Sequence, residues 1–305
     1  MTLLGELFPG FASQHFDTGK VRLHFRSGGS GPPLLLLHGY PQTHASWHKV
    51  APELAETFTV VIPDLRGCGE SSCPSEDLEH TAYSKRVMAG DMVLLMDKLG
   101  FRYFSVMGQD RGARIAYRMA LDWPERVARL VVLDIATTWD TWQPRQQAAR
   151  RNVVEWAFLA QPAPIPESLI GADPNAWLEG CLKRRTQSGS LQPFDPRALE
   201  SYRKSLSDPD RVHATCEDFR AGASCDLSDD QEDRKLGRRI ACPTLVVWGR
   251  FGSLAPMGDP VALWRPWCAT VAGCMLESGH FIPEEDPMGL LGAVQPFLKI
   301  SEMRA

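Results

Sequence analysis

Short apolar runs recur along the first half of the chain, separated by stretches whose apolar positions come every three or four residues. Residues 34–37 are four consecutive leucines, a run too short for a helix and suited to a strand buried on both faces. Residues 60–63, 103–107, 129–133 and 244–248 repeat that signature, and residues 21–25 alternate apolar and charged positions as an early strand. Between them, residues 46–55, 83–99 and 111–122 read as helices. In the second of these, Val87, Met88, Met92, Leu95, Met96 and Leu99 keep helical spacing, and the third stops before Pro124. Strands alternating with helices predict an α/β fold, a mostly parallel central sheet flanked by helices on both faces.

The pattern breaks after residue 137. Residues 138–230 are rich in Trp, Arg, Gln and Pro and carry helical stretches but no buried-strand run. The strand signal resumes at 244–248. The expected organisation is therefore a core of residues 1–137 and 231–305, interrupted by a helical cap at 138–230. An insertion at strand carboxyl ends lies over the face where such sheets bind ligands.

Composition adds little to that outline. The 305 residues are 44% apolar and 23% charged, as in an ordinary globular protein, with a net charge of −4. That balance gives no electrostatic case for nucleic acid or an anionic membrane as partner. No apolar run approaches a membrane span, and residues 1–10 do not read as a secretory signal, so a cytoplasmic protein is expected. The eight cysteines form no C-x-x-C pair and are expected as free thiols. His44 and His48 have i, i+4 spacing but no intervening glutamate, so they read as structural; no metal and no cofactor is expected.

The candidate chemistry centres on Gly108-Gln109-Asp110-Arg111-Gly112, which follows a strand run and opens a helix. A glycine stands two places either side of Asp110, the spacing of a nucleophile elbow with aspartate in place of serine. An aspartate that merely caps the following helix fits that spacing as well. A carboxylate nucleophile turns over only if water is activated against the ester it forms, which calls for a histidine and an acid to orient it. His280, in the loop Ser278-Gly279-His280-Phe281, is the candidate base. The first candidate acid is Asp134, after the 129–133 run. Asp259 is the second, because no nearer carboxylate follows 244–248.

Four segments together resemble the aspartate-nucleophile branch of the α/β-hydrolases, the branch of haloalkane dehalogenases, epoxide hydrolases and fluoroacetate dehalogenases. They are His38-Gly-Tyr-Pro41, Asp64-x-x-Gly-x-Gly-x-Ser71, Gly108-x-Asp-Arg-Gly112 and Ser278-Gly-His-Phe281. Within the branch the chain is most similar to fluoroacetate (haloacetate) dehalogenases, through Pro41-Gln-Thr-His44, Asp110-Arg-Gly-Ala-Arg114, Leu133-Asp-Ile135, residues 158–164 and Cys216-Glu-Asp218. The resemblance implies that Asp110 displaces halide from a 2-haloacid and that His280, oriented by Asp134, drives hydrolysis of the ester. It implies that Arg111 and Arg114 hold the substrate carboxylate, that His38 and Tyr40 border the pocket, and that the protein is a homodimer. It also implies a halide site of His, Trp and Tyr. Here Trp156 is kept, but Glu155 and Phe219 stand at the other two positions, and Arg185 stands where a tryptophan is expected. Fluoride is the halide that depends most on strong donors, so these departures predict weakened defluorination. Two rivals remain. An epoxide hydrolase would need cap tyrosines, of which Tyr202 is the only one, and a non-catalytic protein that binds small carboxylates would need none of the catalytic machinery.

Overall fold

A computed structural model describes residues 3–75, 77–142 and 153–299. Its centre is an eight-stranded sheet in the order β1-β2-β4-β3-β5-β6-β7-β8, formed by Ala12–Asp17, Arg22–Gly28, Pro33–Leu37, Thr59–Pro63, Phe104–Gln109, Val127–Leu133, Thr244–Gly249 and Val271–Leu276 as β1 to β8 in chain order. β1 and β2 are antiparallel to their neighbours, and all later pairings are parallel.

The leucine run of β3 explains the layering. Leu34 and Leu36 enter one apolar cluster, while Leu35 and Leu37 enter another on the opposite face. Val60 and Ile62 against Val61, and Leu245 and Val247 against Val246, divide in the same way. Alternation of side chains across a strand makes one unbroken run serve two cores. Each such leucine or valine buried on both faces contributes roughly 1.5–3 kcal/mol.

Three elements differ from the sequence expectation. Residues 46–55 are not one helix: a short 3₁₀ turn spans His44–Trp47 and an α-helix covers only Ala51–Ala55. Pro52 has no N–H to bond back to the preceding turn, so the ladder breaks there. β1 carries no recognisable run, because it lies at a sheet edge and is largely exposed, while β8, at the other edge, is the apolar stretch Val271–Leu276 that the expectation does not include. An edge strand with a wet face needs little apolar surface.

Between β6 and β7 the described residues form helices only, the last being Cys225–Leu236, so the boundary expected at 230 falls inside a helix. Ion pairs, most of them buried, fasten this helical segment to the core. Arg118 of the helix Arg111–Asp122 meets Asp230 at 2.8 Å and Asp233 at 2.6 Å, Arg86 meets Asp229 at 2.8 Å, and Lys85 meets Asp218 and Asp226. Among the described residues no helix is long and apolar enough to cross a membrane.

Candidate active site

The loops at the carboxyl ends of five neighbouring strands converge on one point. Gly39 and Tyr40 follow β3, Asp110 follows β5, Asp134 follows β6, Ser253 follows β7 and His280 follows β8. Asp110 sits at φ 48°, ψ −116°, a strained turn between β5 and the helix Arg111–Asp122. The flanking glycines are needed for close approach. A Cβ at Gly108 would lie 2.5 Å from the carbonyl oxygen of Gly112, and one at Gly112 would strike the carbonyl oxygens of Leu37 and His38. The turn pushes the Asp110 side chain clear of the sheet. Its Oδ1 accepts the backbone N–H of Arg111 at 2.7 Å and that of Tyr40 at 3.4 Å. The cap expected of such an aspartate is present, but it engages only that one oxygen.

The other oxygen faces the histidine. His280 Nε2 lies 3.2 Å from Asp110 Oδ2, and His280 Nδ1 lies 2.6 Å from Asp134 Oδ2. Asp134 is itself fixed by the backbone N–H groups of Ser253 at 2.6 Å and Leu254 at 3.2 Å. The loop after β7 therefore supplies amides instead of a carboxylate. Asp259 is remote from this cluster in its bonding and caps the helix Pro260–Trp264. Gln109 Nε2 donates to the His280 carbonyl at 2.6 Å and holds that loop against the elbow.

The electrostatics follow from these contacts. Burial alone would lower the His280 pKa, but its bonds to Asp110 and Asp134 push it up to about 9. Burial would raise Asp110, but the bond and charge of His280, then Arg185 and Arg111, hold it well below the usual carboxylate range. Both shifts favour the imidazolium and carboxylate forms of the pair.

A small cavity opens above Asp110 and is bordered by Asp134, His280, Ser253, Arg114, Trp156 and Arg185. The three arginines of interest differ sharply. Arg111 is committed to Asp218: Nε donates to its carboxylate and Nη2 to its carbonyl at 2.6 Å, and the guanidinium lies over Phe219 at 4.3 Å. Arg111 borders a neighbouring cavity, together with His38, Tyr40 and Asp218, and contributes to the Asp110 site through its backbone N–H. Arg114 has no carboxylate partner among the described residues. Its Nη1 donates to Thr138 at 2.9 Å, Nη2 to Thr141 at 3.3 Å, Nε is unpaired, and the group stacks on Trp156 at 4.5 Å. Burial pulls its pKa below the ordinary guanidinium value, whereas burial of Arg111 and Arg185 is outweighed by Asp218 and Glu155. Arg185 meets Glu155 at 2.7 Å.

The altered halide-site positions behave unlike simple replacements. Glu155 is turned to Arg184, Arg185 and Cys181 and is not among the cavity-lining residues. Burial opposes its charge, but the two arginines keep it ionised. Phe219 packs edge-on against Tyr40 and Trp156 and is likewise behind the lining. His38 is structural in its bonding, because Nε2 accepts the Leu65 N–H at 3.1 Å and Nδ1 faces the Gly39 carbonyl at 3.2 Å. The Tyr40 hydroxyl accepts from Trp177 at 2.5 Å, away from Asp110. Tyr202 donates to Glu284 at 3.2 Å, also away from the cavity.

Sequence reasoning missed the roles of Asp218, Thr138, Thr141 and the 253–254 amides. No local signal marks them, since each acts on a residue at least 24 positions away along the chain. One cluster has metal-like proximity: facing atoms of His24, His44 and Asp64 lie within 4.8 Å. Arg26 Nε donates to His44 Nε2 at 3.0 Å, which places the His44 proton on Nδ1, toward Asp64 at 2.9 Å. His24 Nδ1 meets the same carboxylate at 2.8 Å. His48, by contrast, turns to the Ala45 carbonyl.

A family model described as the alpha/beta hydrolase fold matches residues 32–287. A fluoroacetate dehalogenase from Burkholderia sp is 43% identical over 292 residues, 96% of this chain and 95% of that protein. A soluble epoxide hydrolase from Corynebacterium sp. (strain C12) is 32% identical over 90% of this chain and 93% of its own length. Among solved structures, a candidate α/β hydrolase from Nostoc sp PCC 7120 superposes with a TM-score of 0.90 at 46% identity, covering 95% of this chain and 99% of the other.

Proposed function

We propose, from the premise that this chain belongs to the α/β-hydrolase family and within it to the fluoroacetate dehalogenases, that it hydrolyses the carbon–halogen bond of small 2-haloacids. The observation that carries this reading is Asp110, a carboxylate at a strained elbow with one oxygen in a pair of N–H groups and the other turned to His280.

The chemistry divides between the two oxygens. Oδ2 attacks the carbon bearing the halogen, forming an O–C bond as halide departs with its bonding pair. Oδ1 becomes the ester carbonyl oxygen. Ester formation removes the Asp110 charge, one of the two carboxylate contacts that hold the proton on His280. The imidazolium then loses that proton to solvent, and the neutral His280 takes a proton from the water that attacks the Asp110 carbonyl carbon; the proton later passes to the leaving alkoxide as the bond between Cγ and Oδ2 breaks. The tetrahedral oxyanion develops on Oδ1, where the Tyr40 and Arg111 amides already point. Collapse releases the 2-hydroxyacid. Asp134 keeps Nδ1 protonated and Nε2 aimed at the reaction.

Arg114 is the natural handle for the substrate carboxylate, as a buried cation with unspent donor capacity bordering the cavity. The Arg111 side chain supports it from behind, tied to Asp218. The helices between β6 and β7 serve as a cap, contributing Trp156 and Arg185 to the cavity. An epoxide substrate would need an acidic hydroxyl over Asp110. The Tyr202 and Tyr40 hydroxyls are engaged elsewhere, which favours the haloacid despite the likeness to an epoxide hydrolase.

A panel of haloacetates and 2-halopropionates, scored for halide release, tests the reading. Chloro- and bromoacetate are expected to turn over, with fluoroacetate slower. In His280→Asn the covalent ester should accumulate on Asp110, visible by mass spectrometry as one substrate-sized adduct. No halide release and no adduct from any haloacid would favour a binding protein instead.

A further inference from the structure

Arg185 is a buried cation at the cavity whose charge and whose hydrogen bonds are not satisfied by the same partner. Its Nη2 lies 2.7 Å from Glu155 Oε1, yet neither Nη2 nor Nε makes an aligned hydrogen bond among the described residues. The side chain is only 3% exposed and borders the Asp110 cavity beside Trp156. Glu155 is outside that lining and shares its charge with Arg184, 2.9 Å away. The Glu155–Arg184–Arg185 group thus carries one net positive charge, and Arg185 is the member of it that borders the cavity.

Such donors gain little from a bound haloacid. A carbon-bound halogen is a weak acceptor, and the substrate carboxylate has Arg114 as its own handle. The position changes during displacement. As the Asp110 Oδ2–carbon bond forms and the carbon–halogen bond breaks, the negative charge of Asp110 passes to the halide, which becomes a strong acceptor. Donors left unsatisfied before reaction and satisfied during it stabilise the transition state selectively. No proton moves in this step, so a permanent cation suits it better than a titrating group.

We infer that Arg185, braced by Glu155, receives the departing halide together with Trp156, taking over the place that Glu155 and Phe219 leave without a donor. This rests on the dehalogenase reading above. It deepens that reading by moving the leaving-group site from the 155 and 219 positions to the end of the helix Pro174–Arg185.

The test compares wild type with Arg185→Met, Arg185→Lys and the double variant Glu155→Gln/Arg185→Met, which leaves no unpaired buried carboxylate if the single variant folds poorly. Loss of kcat in Arg185→Met should follow leaving-group difficulty: greatest with fluoroacetate, about 100-fold with chloroacetate and smaller with bromoacetate, with KM changed by less than about 3-fold. Arg185→Lys should fall between. Equal loss for all three halides, or a raised KM with kcat retained, would overturn the inference. A second measurement needs no turnover. In Asp110→Asn, whose neutral side chain stands in for the ester, bromide titrated by calorimetry should bind at least about 10-fold more tightly than when Arg185→Met is added. Unchanged bromide affinity overturns the halide site. If wild type turns over no haloacid, the dehalogenase reading falls, and the bromide titration still decides this one.

Discussion

The floor and the roof of the cavity obey different rules. On the floor, Asp110, Asp134 and His280 are fixed by backbone: amides of Tyr40, Arg111, Ser253 and Leu254 hold the carboxylates, and strand ends set the spacing. On the roof, Glu155, Trp156, Arg185 and Phe219 are fixed by side chains packing on and pairing with other side chains. Backbone amides do not change when a side chain is replaced. A roof built from mutual side-chain contacts can exchange its members in groups, and here an acid and an arginine stand together where the family pattern has neither. On the proposed reading, the reaction type would reside in the floor and the choice of leaving group in the roof.

The largest expected effect strikes the floor. Asp134→Asn keeps the size of the side chain but removes the charge that fixes the imidazole, and kcat should fall about 10⁴-fold with KM little changed. Steady-state kinetics on chloroacetate checks this. A loss no larger than about 10-fold would mean that the backbone frame alone positions His280, and the contrast between floor and roof would lose its basis.

The next effect separates two arginines on one helix. Arg114→Met should raise KM for a haloacetate roughly 10- to 100-fold, the worth of a buried charged hydrogen bond. Arg111→Met should chiefly lower thermal stability, because it strips a partner from the buried Asp218 and leaves only Lys85. Measured side by side, equal KM effects would show that Arg111 also grips substrate and that the cavity extends past it.

The smallest effect is a pH dependence of stability set by the floor. His280 titrates at about 9 in the folded protein against an ordinary 6.5. A raised folded pKa contributes stability that is complete below about 6.5 and is lost as pH rises through about 9. Melting temperature should therefore fall by a few degrees between these pH values, and His280→Asn should flatten the curve. An unchanged slope in the variant would assign the titration to another group.

Much of the core was legible in advance because its signals are local. The leucine run of β3, the valines of β4 and β7 and the glycines around Asp110 each state their environment within a few residues. The edge strand β1 was not legible, since exposure removes the apolar pattern that marks a strand, and the apolar stretch of β8 is interrupted by Gly273, which weakens a strand signal. The helix expected over residues 46–55 shows the opposite failure. Its apolar spacing was helical, but Pro52 breaks the hydrogen-bond ladder whatever the spacing.

The sequence by itself determined which residues can do chemistry: a carboxylate at an elbow, a histidine in a late glycine loop, an aspartate after a strand and two arginines three apart. These follow from covalent order and backbone sterics, which act over short range. Only the tertiary structure decided how the charges are shared. It tied Arg111 to Asp218, left Arg114 without an anion among the described residues, turned Glu155 away from the cavity and set Arg185 beside Trp156. The physical reason is that a buried charge is governed by whichever partner lies within a few ångströms, and those partners come from 29 to 107 residues away along the chain.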